Sequence, residues 1–311
     1  TRPSCDTPLA LPRGNSLMTR SLHNIAIILN PALGPDLAVL AQLNRVLSES
    51  KLERELLVTK RRDDGTRLAQ QALSMQPDAI VVYGGDGTIA EVAAATHQTD
   101  TPLILLPGGT ANVMVKELGV PTDLEAALLQ LQKPLQLKQI DMALVNGQTS
   151  MCLRIEVGMM ADAILSANRP QKDALGQLAY PMVAMQKIRE AQPAMYHLVL
   201  DGVDKEVEGV ILMVANMGNI GLTGVSIQPD VSPDDGLLDV FALTSADLGS
   251  LLAVGTSALT GLEKPPTLKH WKAKDVFVAA SSEQKALCDD HPLNVKEFRV
   301  TMSPNQLKVL V

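Results

Sequence analysis

The feature that most constrains this chain is a stretch in which a buried strand, a glycine turn and a helix start follow one another directly. Ala79-Ile80-Val81-Val82-Tyr83 is short, apolar and β-branched, the pattern of a strand covered on both faces. It ends in Gly84-Gly85-Asp86-Gly87-Thr88. Ile89, Val92, Ala93 and Ala94 then suggest a helix, with Thr88 as its expected cap. Glycine lets main-chain N–H groups approach a ligand closely. A helix start adds orphan N–H groups and the positive end of the dipole. Together they form a cradle for phosphate. The Gly-x-Gly-x-x-Gly spacing is absent, as is a Gly-Lys-Ser/Thr ending, so neither of those nucleotide fingerprints applies. A tight strand-to-helix turn alone would not call for an acid among its glycines, and Asp86 supplies one.

A second junction repeats the chemistry. Leu103-Ile104-Leu105-Leu106 runs into Pro107-Gly108-Gly109-Thr110-Ala111-Asn112 and then a helix from Val113. Ligands of open α/β sheets bind outside the carboxyl ends of strands, so both ends are expected to face one phosphate-bearing ligand. The two motifs together resemble the catalytic domain of the diacylglycerol kinase-like lipid kinases, distant relatives of NAD kinase and 6-phosphofructokinase.

Around these motifs the chain is punctuated in two ways. Residues 1–17 contain Pro and Ser without periodicity or an apolar signal core, and read as an unstructured or expression-derived leader before a native start at Met18. Strands at 25–29, ending in Asn30-Pro31, and at 56–59 then alternate with helices near 37–47 and 66–75. Lys60-Arg61-Arg62-Asp63-Asp64 is either a solvated loop or the source of one cation for nucleotide phosphate. Thr122-Asp123-Leu124-Glu125 reads as a capping box. The alternation predicts a three-layer α/β nucleotide-binding domain with a parallel sheet over residues 18–134.

From residue 135 strands dominate. One hairpin is expected to join 135–145 to 149–157 through Asn146-Gly147, and a second pairs 196–200 with 207–215 around Asp201-Gly202. Further strands fall at 237–243, 275–280 and 298–311, with helical inserts at 176–188 and 246–262. Residues 135–302 are thus expected to form an antiparallel, β-sandwich-like domain. The resemblance adds an active site in the inter-domain cleft and a C-terminal segment, 303–311, returning to the first domain.

Composition narrows the functional classes. The 311 residues suffice for two cores, and 46% hydrophobic content with few aromatics suits an aliphatic α/β interior. Lys and Arg number 27 against 34 acids, a net charge of −7 that argues against a general nucleic-acid binder. Cys5, Cys152 and Cys288 are far apart without paired spacing, so neither a disulfide framework nor a zinc site is indicated, and a cytoplasmic location is expected. No apolar run reaches the length of a membrane span.

The resemblance extends from Ile25 to Val311 through Ile140-Asp141, Val157-Gly158, Gly176-Gln177-Leu178-Ala179-Tyr180 and Val214-Ala215-Asn216-Met217-Gly218. Its most specific stretch is Gln228-Pro229-Asp230-Val231-Ser232-Pro233-Asp234-Asp235-Gly236-Leu237-Leu238-Asp239-Val240. By resemblance this loop holds Mg²⁺ through the Asp235 side chain and the carbonyls of Ser232 and Leu237. Clustered hard oxygens beside a glycine turn suit such an ion, although the residues without the resemblance read first as a polar Asp-Gly turn between strands. One departure touches the chemistry. Where the family carries Asp-Gly-Glu-Pro, with the glutamate as base, this chain has Asp289-Asp290-His291-Pro292. Histidine is a competent general base near neutrality, so the resemblance leaves His291 or Asp289 in that role.

The implied mechanism places ATP phosphates on the glycine loops at 84–88 (Gly84, Gly85, Asp86, Gly87, Thr88) and 108–110 (Gly108, Gly109, Thr110), with Thr59 and Thr110 as hydroxyl contacts, Asn30 and Asn112 as further nucleotide-binding residues, and Asp86 organising a catalytic Mg²⁺. The acceptor is a lipid hydroxyl reaching the cleft from a membrane surface. That surface would be touched by residues 248–262 and by Lys264, Lys269, His270, Trp271, Lys272 and Lys274, a stretch that reads equally as a plain core helix and a solvated strand. A location peripheral to the membrane follows, and a homodimer is compatible. His23, His97, His197 and His270 lack a comparable acidic context and read as structural or surface residues. An NAD kinase shares the Gly-Gly-Asp-Gly loop, but its later Asn-Glu pair finds no match. A non-catalytic nucleotide-binding regulator, or a lipid transporter or sensor, would also be consistent with these residues. Diacylglycerol, phosphatidylglycerol, ceramide and sphingoid bases all remain compatible acceptors.

Overall fold

A computed structural model of the chain describes residues 22–31, 36–48, 52–158, 161, 193–222, 225–245 and 265–311. The expected leader, the helical inserts at 176–188 and 246–262, the membrane-facing stretch 248–262 and Lys264 lie outside the described residues.

The first unit opens with β1 (Asn24–Leu29), α1 (Asp36–Leu47), β2 (Glu53–Val58), α2 (Asp64–Ser74), β3 (Ala79–Gly84), α3 (Asp86–Thr96) and β4 (Leu103–Pro107). It continues through α4 (Val113–Glu117), α5 (Leu124–Gln130) and β5 (Leu137–Ile140). The second unit holds β6 (Ala143–Val145), β7 (Thr149–Met151), β8 (Arg154–Gly158), β9 (Ala194–Leu200), β10 (Val203–Gly209) and β11 (Ile211–Ala215). After these come β12 (Asn219–Leu222), β13 (Val225–Ser226), β14 (Leu238–Leu243), β15 (Leu268–Ala273), β16 (Asp275–Cys288) and β17 (His291–Met302), before the chain ends in β18 (Leu307–Leu310).

The first sheet runs β2-β1-β3-β4-β18-β5. Its pairings are parallel from β2 through β18, and only β5 runs antiparallel. β1, β3 and β4 are the continuous apolar runs of the sequence, and every residue of β3 and β4 is buried. The chain leaves β1 outward to β2 and then returns past β1 to β3, so strand order reverses beside β1. A crevice opens there at the strands' carboxyl ends, where Asn30 and the Gly84–Thr88 turn emerge. The C-terminal strand β18 docks between β4 and β5. β5 does not follow the sequence reading, because Ile140 packs in the first core and the strand pairs with β18. The crossover between units therefore falls at Asp141, inside what reads in sequence as one strand.

Local chemistry also shifts some boundaries. α2 starts at Asp64, ahead of its expected start at Thr66, because the buried Asp64 carboxylate accepts the Lys60 and Arg61 N–H groups at 2.8 and 3.2 Å. α3 starts at Asp86 with Gly85 as N-cap. Thr88 lies inside the helix, where its hydroxyl accepts a 2.8 Å bond from the Asn30 amide instead of capping. Asp123 caps α5 by accepting the Ala126 N–H at 2.9 Å.

The second sheet is organised on β16, which pairs with β17 on one side. On its other side Val276–Ala280 face β9, whereas Ala286–Cys288 face β8. A register break between Ala279 and Gln284 separates the two halves and lets one strand serve both neighbours. The expected 135–157 hairpin is realised only as β6 on β7, while β8 pairs with β11 and β16. Asp201-Gly202, with φ of 48° and 86°, closes β9 directly onto β10, and β11 leaves for another pairing. Asp289-Asp290 closes β16 onto β17 in the same left-handed geometry, at φ 44° and 69°. Glycine is favoured at the second position of such a turn, and Asp290 occupies it. Among the described residues, no helix is long and apolar enough to cross a membrane.

Candidate functional site

The two glycine turns form one body at the mouth of the first sheet. A Cβ on Gly109 would lie 2.6 Å from the Gly85 Cα, and one on Gly108 would lie 3.1 Å from the Gly84 nitrogen. The Gly108 N–H donates to the Gly84 carbonyl at 3.1 Å. These glycines are therefore required for the turns to meet backbone to backbone. Asn112, itself at φ 48°, braces the second turn by accepting from the Gly109 N–H at 2.8 Å and donating to the Gly109 carbonyl at 2.7 Å. Thr59 is buried at the end of β2, its N–H on the Leu29 carbonyl at 2.9 Å, and Thr110 is exposed. Asn30, Thr59, Gly84, Gly85, Asp86, Gly87, Thr88, Gly109, Thr110 and Asn112 thus all lie along the carboxyl ends of β1 to β4.

Asp86 is the charged centre of this ridge. It is 9% exposed and accepts the Met114 N–H at 3.3 Å from the start of α4. Burial, and then the charge of Asp290, push its carboxyl up to about 6. Asp290 arrives from the second unit: its Cβ and Oδ2 lie 3.5 Å from the position a Cβ on Gly87 would take. Lys116 and Arg154 bring opposite charge to Asp86. The Arg154 guanidinium is held by Glu156 Oε1 at 2.5 Å and by the Asn219 carbonyl at 3.0 Å. The buried Asp86 carboxylate at a glycine-lined helix start, with the exposed Asp290 beside it and cations nearby, suits a divalent cation accompanied by phosphate.

The Asp289-Asp290-His291 turn is arranged differently from its sequence reading. The buried Asp289 carboxylate accepts three main-chain N–H groups, from Cys152 at 2.6 Å and from Leu153 and Arg154 at 2.9 Å each. This carboxylate ties β16 to the β7–β8 corner, so the geometry makes Asp289 a scaffold residue instead of the expected base. It does not orient His291 through its carboxylate either. His291 Nδ1 lies 3.2 Å from the Asp289 carbonyl, and Nε2 lies 3.3 Å from Asp63 Oδ1. Asp63, Glu91 and His291 present ligand atoms all within 4.8 Å of one another at the cleft margin. Arg62, from the charge run, donates to the Asp290 carbonyl at 2.8 Å. The first unit's cation therefore clasps the turn of the second.

The loop from Gln228 to Val240 departs from the expected ion site. Asp235 Oδ1 accepts the Leu237 N–H at 3.0 Å, and Oδ2 accepts Lys272 Nζ at 2.9 Å. The same ammonium donates to the Asp230 carbonyl at 2.6 Å. The Ser232 hydroxyl donates to Asp234 Oδ1 at 2.6 Å. A magnesium ion on Asp235, Ser232 and Leu237 would meet the lysine's charge, so the donor set as folded does not fit the implied ion. His270 also turns inward, with Nε2 2.5 Å from the fully buried Asp239 carboxylate and its ring stacked on Phe241. The sequence places His270 and Lys272 against a membrane or solvent; their acidic partners turn them inward.

Sequence reasoning missed Arg154 and the roles the fold gives Asp290, Arg62 and Lys272. Asp290 left one trace, a carboxylate where the resembled motif has glycine. The others meet their partners only through the fold.

Comparisons with known proteins bear on the fold and the family. Residues 24–145 match the diacylglycerol kinase catalytic domain, and residues 154–311 match the YegS C-terminal NAD kinase beta sandwich-like domain. An uncharacterized protein of Synechocystis sp. is 31% identical over 74% of this chain and 54% of its own length, so the chain spans about half of that relative. A diacylglycerol kinase of Bacillus subtilis is 30% identical over 76% of this chain and 78% of its own. A solved diacylglycerol kinase structure from Bacillus anthracis str. Sterne superposes with a TM-score of 0.71 over 93% of this chain and 97% of that one, at 22% identity, a likeness of fold. With both units matched in order, the chain belongs to the diacylglycerol kinase-like family of lipid kinases.

Proposed function

We propose that this kinase transfers the γ-phosphoryl group of ATP to the hydroxyl of a diacylglycerol-like or related lipid. The observation that carries the reading is the convergence on Asp86, where two interlocked glycine turns of one unit meet the Asp290 turn of the other. ATP phosphates lie along the turns at Gly84–Thr88 and Gly109–Thr110, against the first N–H groups of α3. Phosphoryl transfer is mainly positioning and charge neutralisation, and Lys116 and Arg154 supply fixed positive charge near Asp86. Asp86 would hold the magnesium ion that travels with ATP, which would supply charge neutralisation at the phosphates. Asp290, rather than Asp289 or His291, takes the proton as the acceptor oxygen bonds to the γ-phosphorus and the bond to the departing ADP oxygen breaks. His291 with Asp63, and Arg62, hold the turn that presents Asp290. The acceptor enters from a membrane surface.

The test uses γ-labelled ATP with Mg²⁺ and mixed micelles containing diacylglycerol, phosphatidylglycerol, ceramide and a sphingoid base, with NAD in a parallel reaction. Label in one lipid class is expected. Label only in the dinucleotide, or nucleotide binding without transfer to any acceptor, would overturn the proposal.

A further inference from the structure

The loop that the family resemblance marks as a metal site carries four carboxylates in ten residues: Asp230, Asp234, Asp235 and Asp239. Such a concentration of charge needs compensation to stay folded. The structure supplies it from β15. Lys272 Nζ donates to the Asp230 carbonyl at 2.6 Å and to Asp235 Oδ2 at 2.9 Å, and it lies 3.8 Å from Asp239 Oδ1. The Lys272 and Asp235 side chains retain 25% and 27% of their exposure, so their attraction is screened less than that of a surface pair.

We infer that Lys272 is a built-in cation that replaces a divalent ion in the Asp230–Asp239 loop. An ammonium offers three donors on a flexible stem, and here it reaches one main-chain carbonyl and two carboxylates. The oxygens a hard cation would gather are thereby neutralised and crosslinked without an ion. The device bears on the cleft because the loop is fastened to the crossover between units. The Asp141 N–H donates to the Pro233 carbonyl at 2.7 Å, and Asp141 Oδ2 accepts the Gly236 N–H at 2.6 Å. Asp141 Oδ1 accepts from Gln306, just before β18, at 2.6 Å, and its carbonyl accepts from Asn216 at 2.7 Å. Asp141 thus joins the loop to both chain crossings between the sheets, and Lys272 locks the far side of that loop. The lock does not depend on nucleotide or lipid, so it stands or falls independently of the proposed transfer reaction.

The test measures Mn²⁺ binding by electron paramagnetic resonance and thermal unfolding in EDTA or Mg²⁺, without nucleotide. An Asp86→Asn background removes the cleft carboxylate as a competing ligand. With Lys272 present, adding Asp235→Asn is expected to leave Mn²⁺ binding unchanged, and the melting temperature is expected to be the same in EDTA and Mg²⁺. Lys272→Met is expected to melt lower in EDTA, recover in Mg²⁺, and bind Mn²⁺ at least about tenfold more tightly, a gain erased by Asp235→Asn. Lys272→Arg keeps the charge and is expected to remain insensitive to EDTA. Mn²⁺ binding that Asp235→Asn abolishes while Lys272 is intact would overturn the inference, even if Lys272→Met fails to fold. So would a Lys272→Met protein as stable as its parent in EDTA.

Discussion

Replacing Asp86 by Asn should stabilise the ligand-free protein while removing its activity. The carboxyl moves from its ordinary 3.8 up to about 6, first because it is buried and then because Asp290 lies beside it. An acid with a raised native pKa binds its proton more tightly when folded. Its favourable contribution is complete below about pH 4, declines as pH rises toward 6, and is gone above it. A shift of about 2 units corresponds to roughly 3 kcal/mol of strain carried by the ionised native protein. Asn keeps an oxygen for the 3.3 Å bond from Met114 N–H and carries no charge. Urea unfolding of wild type and Asp86→Asn between pH 4 and 8 should show curves that nearly coincide at pH 4. They should separate to about 3 kcal/mol in favour of the variant above pH 6. Equal stabilities at pH 8, or a gap that opens only below pH 4, would refute the assignment of strain to this carboxylate. Such strain is what a site evolved for a cation and phosphate would retain.

Three further outcomes follow from the same geometry. Gly109→Ala drives a methyl into the Gly85 Cα from 2.6 Å, and should cost about 1–3 kcal/mol in unfolding and weaken ATP binding by calorimetry; normal affinity would show that the turns need not interlock. Asp289→Ala strips two buried N–H groups and the part-buried one of Arg154 of their acceptor and should lower stability by on the order of 3 kcal/mol, read as a fall in melting temperature, whereas a catalytic base would lose turnover with stability intact. Asp290→Asn should reduce turnover on the order of 10²–10⁴-fold with ATP affinity kept, and His291→Ala should reduce it far less; the reverse ranking would return the base role to His291.

The nucleotide ridge was legible in sequence because its chemistry is local. Strand, glycine turn and helix start are contiguous in both junctions, so Gly84–Thr88 and Pro107–Asn112 announce themselves without tertiary knowledge. The second domain was legible as a class but not in its pairings. The run from 135 to 145 is strand-like in composition throughout, yet Asp141 divides it between two sheets. Nothing in its periodicity records that Ile140 finds its core partners in the first unit. Thr88 looked like a cap because a hydroxyl beside an apolar face usually is one, and the Asn30 amide, 58 residues away, claims it instead. The cleft's far wall was hidden for the same reason. Arg62 and Asp290 are 228 residues apart, and Lys272 lies 37 residues beyond the carboxylate it neutralises. Resemblance identified the positions, and only packing distinguished the scaffold carboxylate Asp289 from Asp290 facing Gly87.

The measurement that bears most directly on the central claim is phosphoryl transfer from γ-labelled ATP to lipid by wild type, compared with Asp86→Asn verified as folded by its unfolding curve. Wild type should place label on a lipid hydroxyl, and the variant, at least as stable above pH 6, should place none above background. Undiminished transfer by folded Asp86→Asn would contradict the account, because the crevice between the glycine turns and Asp290 would then not be where the reaction occurs.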